Sequence, residues 1–169
     1  VMKSYALTQV PSPVLLRDLD SLVAKDRLNT ADLLAHLGEV EARRLYAPAS
    51  CSSMHVYCVK VLRLSEDAAI KRLRVARMAR RYPGIFAAIA DGRLTLTAVL
   101  MLRRYIVPAN AARLLALAEG RTNAELAEAL AAEFPEADVP TKLEPVAPAV
   151  TASLAAGVDG AAVAPAPAS

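Results

Sequence analysis

The segment from Leu64 to Pro83, LSEDAAIKRLRVARMARRYP, carries both of its own boundaries, and so constrains the chain more than any other stretch. Ser65 is suited to cap a helix N-terminus, because its hydroxyl can accept from a first-turn N–H that has no carbonyl partner. Glu66 and Asp67 place negative charge at the positive end of the helix dipole, and Arg80 and Arg81 place positive charge at the other end. Pro83 disfavours helical geometry at Tyr82 and suits the first turn of a following helix. One helix is therefore predicted over residues 66–81. Leu73, Ala69 and Ala76 make one packing strip along it, and Val75, Ala68 and Ala79 make another, both small enough for neighbouring helices to approach closely.

Charge sets the same helix apart. Between Lys60 and Arg81 stand Lys60, Arg63, Lys71, Arg72, Arg74, Arg77, Arg80 and Arg81 against Glu66 and Asp67, a balance of +6 in a chain whose total is +3. Everything else therefore sums to −3, so the basic character is local, as an electrostatic footprint for a polyanion would be. Lys71, Arg74, Arg77 and Arg81 are spaced three, three and four apart, which keeps them on one side of a helix, while Arg72 and Arg80 point elsewhere. All eight residues are candidate nucleic-acid contacts. A helix of this composition can also be a merely solvated face. What favours binding is the concentration of charge against an acidic remainder.

The rest of the chain reads as helices separated by regular punctuation. Apolar residues make up 55% of the 169, but alanine inflates that share and aromatics are only 4%, which favours close-packed helices over sheets. After a flexible arm over residues 1–11, Ser12-Pro13 opens a long or gently broken helical arm. Leu15, Leu19, Leu22 and Val23, then Leu33, Leu34, Leu37, Val40 and Leu45, recur along it at helical spacing, with soft interruptions at Asn29-Thr30 and Gly38. Residues 52–63 form the next helix, joined to the basic one at Leu64-Ser65 in a helix-turn-helix outline. No Asn or Gln stands near the front of the basic helix to read base edges, so phosphate contact is expected rather than sequence readout. Pro83 to Gly92, a helix capped at Thr95 or Thr97, Pro108 to Gly120, and a capping box at Thr122–Glu125 complete an all-α domain over residues 12–139. Residues 140–169 turn to Ala, Pro, Val, Gly and Ser, and read as a disordered linker or tail.

The run Ala42-Arg43-Arg44-Leu45-Tyr46, the run Ser52-Ser53-Met54-His55-Val56-Tyr57-Cys58, the basic helix itself and Gly92-Arg93-Leu94-Thr95-Leu96-Thr97-Ala98 follow one another in an order that carries a resemblance. Over about residues 15–140 the chain resembles the helical domain of unknown function found upstream of the HNH endonuclease module in many bacterial proteins. The Ala/Pro-rich tail is similar to the start of the connector that leads to the nuclease in such proteins. The resemblance implies a nuclease-associated helical domain and no catalytic residue to carry over. HNH chemistry needs several His and Asn residues in a compact metal module, whereas this chain holds only His36 and His55.

Cys51, His55 and Cys58 are spaced four and three apart on one helix, so they are weighed as zinc ligands. Cys-x3-His-x2-Cys within a single helix is not a common finger spacing and lacks a fourth ligand, so no metal and no cofactor is expected. Cys58 is expected to pack as a small hydrophobe. Arg43-Arg44 and Arg103-Arg104 read as solvated helix ends, with extension of the basic surface as the alternative. No run approaches the ~20 apolar residues of a membrane span, and no signal-peptide core opens the chain, so a cytoplasmic protein is expected. DNA is the expected partner. The competing expectation is an interaction module that binds no DNA, or that forms a homodimer through the N-terminal helical arm.

Overall fold

The computed structural model describes residues 6–135. The tail expected to be disordered, and the first five residues of the N-terminal arm, lie outside them. The described residues hold seven α-helices and no strand: α1 (Ser12–Ala42), α2 (Met54–Lys60), α3 (Glu66–Arg81), α4 (Gly84–Ala90), α5 (Leu96–Leu102), α6 (Ala111–Ala118) and α7 (Asn123–Glu133), with a short 3-10 turn at Ala47–Ala49. None is long and apolar enough to cross a membrane.

The all-helical reading holds, and α3 has the bounds its sequence marks. The Ser65 hydroxyl accepts from the Ala68 N–H at 3.3 Å, and Tyr82 closes the helix. Ser53, Thr95 and Thr122 cap α2, α5 and α7 in the same way. At α7 the Glu125 carboxylate also accepts from the Thr122 N–H at 2.8 Å, completing the capping box. These bonds lower the Glu125 carboxyl below its usual range.

The basic helix is the axis of the fold. α1, α2, α4 and α5 all pack on α3, and α1 also packs on α4, while α6 and α7 pack on α5 and on each other. Ala69, Ala76 and Ala79 of α3 are fully buried, and their single methyl groups allow that close surround. At 100° per residue the exposed positions Glu66, Asp67, Lys71, Arg74, Arg77, Arg80 and Arg81 span about 180° of its circumference, and Lys71, Arg74, Arg77 and Arg81 lie within about 120° of it. The neighbours cover the rest.

Of the two forms expected for the long arm, α1 takes the unbroken one, from Ser12 to Ala42, because Asn29-Thr30 costs a helix little and Gly38 serves packing: a Cβ there would lie 2.8 Å from Arg80 Cδ. α2 is shorter than residues 52–63, ending at Lys60. Val61 and Leu62 are exposed, and Arg63 turns the chain with φ +58°, with the Leu64 N–H returning to the Cys58 carbonyl at 3.0 Å.

α1 ends in a Schellman motif. The Leu45 N–H bonds the Val40 carbonyl and the Arg44 N–H bonds the Glu41 carbonyl, with Arg44 itself at φ +53°. A side chain in that left-handed region is strained where glycine is not. Arg44→Gly is therefore expected to raise stability by about 0.5–1 kcal/mol, read as a higher midpoint in urea with an unchanged m-value.

Candidate nucleic-acid interface

The exposed wedge of α3 is the basic stripe. Lys71, Arg74, Arg77 and Arg81 are all exposed along it, and so are Lys60 at the end of α2 and Arg63 in the turn. Arg72 sits half-buried beside the stripe, its Nε enclosed without a partner.

The stripe divides by what its guanidiniums already hold. Arg77 Nε donates to Glu41 Oε2 at 2.9 Å and Nη2 donates to Oε1 at 2.6 Å, a two-pronged pair that joins α3 to α1. That hydrogen bonding raises the Arg77 pKa against the opposing effect of burial. Arg80 reaches the other way over α1, where Nη1 donates to the Gly38 carbonyl at 2.8 Å and Nη2 lies 3.9 Å from the Glu39 carboxylate. Both residues are occupied in holding α1 against α3. Lys60, Arg63, Lys71, Arg74 and Arg81 have no carboxylate partner among the described residues. Arg81 instead lies over the Tyr82 ring, 5.6 Å from its centroid.

Two clefts flank the stripe. One, of about 330 Å³, is lined by Arg74, Arg77, Arg81, Met78 and Tyr82 of the α3 segment together with Arg103 and Ile106 from the end of α5. The other, of about 210 Å³, is lined by His55 of α2 with Ile70, Leu73, Arg74 and Arg77. Arg103 is the residue that the sequence favoured as a solvated helix end, with extension of the basic surface only as its alternative. Its only sequence signal is a charge pair at a helix end, and nothing in the spacing reveals that α5 packs on α3 and brings it beside Arg74 and Arg81.

The polarity of α3 decides how it could meet a duplex. A recognition helix leads into the major groove with its N-terminal residues, but here those are Glu66 and Asp67, and the helix is enclosed on its other sides. The outline of the α2–α3 pair is present without the chemistry of base reading. A laterally exposed cationic ridge is instead suited to lie along phosphates.

The weighed metal ligands do not converge. Among the described residues no three His, Cys, Asp or Glu side chains come together as a metal would need. Cys58 is wholly buried, and the Cys51 thiol donates to the Ala49 carbonyl at 3.5 Å. Burial pushes the Cys58 thiol up, and the nearby Glu41 charge adds to the shift. Native protein at pH 8 is therefore expected to leave Cys58 unlabelled by a thiol reagent over the time in which the unfolded chain reacts completely. The neutral thiol's contribution to stability is full below its ordinary value of 9.0 and declines as pH rises from there through the raised folded-state value.

No family model, no curated protein and no solved structure matches the chain.

Proposed function

We propose that residues 12–135 form a non-catalytic nucleic-acid-binding domain that contacts phosphates through the exposed ridge of α3. The observation that carries this is the ridge itself: Lys71, Arg74 and Arg81 project from the uncovered side of the central helix, with no carboxylate among the described residues to neutralise them. Holding like charges side by side costs a fold stability unless a polyanion meets them. Lys60 and Arg63, exposed just before α3, extend the contact. The motif order supports placing this domain with those that stand upstream of HNH nucleases, with DNA as the partner. Binding is expected to be insensitive to sequence. Duplexes of unrelated sequence should compete equally in a fluorescence-anisotropy titration, and a preference of more than tenfold for one of them would count against phosphate tracking.

A second reading has its own observation. Leu16, Leu19 and Leu22 are each more than half exposed on the first turns of α1, and Leu15 and Val23 are partly so, an apolar strip at helical spacing outside the hydrophobic core. Such a strip suits a homodimer through the helical arm. Sedimentation equilibrium of the parent and of Leu19→Asp tests it. A monomeric parent would remove the reading.

A further inference from the structure

We propose that the cleft between α3 and α5 seats the terminal phosphate of a nucleic-acid strand, a phosphomonoester, held by Arg74, Arg81 and Arg103. This rests on the nucleic-acid reading above and sharpens it from a surface to a seat. Four guanidiniums line the cleft, no carboxylate is among its lining residues, and among the described residues only Arg77 is already paired with a carboxylate. Three uncompensated charges around about 330 Å³ exceed what one internal phosphodiester, with its single charge, would neutralise. A monoester carries about −1.5 to −2 at pH 7 and three strong acceptor oxygens, which matches several guanidinium forks at once.

The remaining walls suit the rest of a terminal nucleotide. Met78 and Ile106 offer apolar surface, and the Tyr82 ring stands beneath the Arg81 guanidinium. Tyr82 is nine-tenths buried and its hydroxyl has no hydrogen-bond partner. The seat also accounts for Arg103. α5 presents it towards α3 although it forms no ion pair with any described residue.

The test compares two duplexes of identical sequence, one bearing a 5′-phosphate and the other a 5′-hydroxyl, each labelled at the far end. Anisotropy at fixed salt is expected to give about tenfold tighter binding of the phosphorylated end, the worth of about one further phosphate contact near 0.1 M salt. In Arg103→Gln that ratio should fall to near one. Lowering the pH from 7.5 to 5.5 should shrink it in the parent, because the monoester loses its second charge near pH 6 while the arginines stay charged. Equal affinity for the two ends, or a ratio undiminished in Arg103→Gln or at pH 5.5, overturns the seat and leaves the ridge alone as the binding surface. Binding of neither duplex is a different failure, since it removes the nucleic-acid reading and the seat with it. Inorganic phosphate at millimolar concentration should leave the ratio in place; loss of the ratio there marks a free-phosphate site and overturns the strand-end assignment.

Discussion

Leu34→Ala is expected to cost about 3 kcal/mol of stability, whereas Leu19→Ala, in the same helix, should cost no more than about 0.5 kcal/mol. Leu34 is 0% exposed, and with Ala31 and Leu37 it belongs to the part of α1 that is buried in the core, while Leu19 is 54% exposed. Cutting Leu34 back removes apolar contacts and leaves a hole that an all-helical core can close only partly. Leu19→Ala removes surface that already faces water, and alanine is at least as good a helix former as leucine. Urea unfolding of the two variants beside the parent reads the difference as a shift in midpoint. Similar losses for both would mean that the N-terminal half of α1 is buried against something, and a second copy of the chain would be the first partner to test.

That contrast marks how far the sequence reaches. The helices were legible because their ends are chemical: Ser65 with its acidic first turn, Thr122 with Glu125, and Gly92 and Gly120 at φ +75° and +70° after α4 and α6. The basic stripe was legible because charge and a spacing of three or four need no tertiary knowledge. Which arginines are already engaged was not. Arg77 meets Glu41 across 36 residues of sequence and Arg80 meets Gly38 across 42, and both bonds depend on α1 lying along α3. Gly38 read as an interruption because its role is to make room for a side chain from another helix. The same limit hides Arg103 and also the stacking of Tyr105 on Phe134, 4.7 Å between ring centroids, which joins the end of α5 to the end of α7. Helical periodicity likewise finds the apolar positions of α1 without showing that Leu34 is covered and Leu19 is not.

The separation of engaged from unengaged arginines also changes which variants are informative. Arg77→Gln breaks a pair that joins two helices, so any loss of binding would be mixed with a loss of stability of about 1 kcal/mol, a figure kept low because the Arg77 side of the pair faces solvent. Arg74→Gln and Arg81→Gln touch no ion pair among the described residues. Both side chains are exposed, so the double variant is expected to keep the parent's helicity and to lose little stability.

The most direct measurement is the salt dependence of binding to a duplex of arbitrary sequence. Each phosphate contact releases condensed counterions, so log affinity should fall with log salt at about −0.9 per contact, and Lys71, Arg74 and Arg81 together give about −3. The double variant Arg74→Gln/Arg81→Gln should make the slope shallower by about 1.8, the share of two contacts, and lose roughly 60-fold in affinity at 0.1 M salt, with the two lines converging near 1 M. A double variant that binds as tightly as the parent at every salt concentration, with the same slope, would show that the ridge of α3 is only a solvated face.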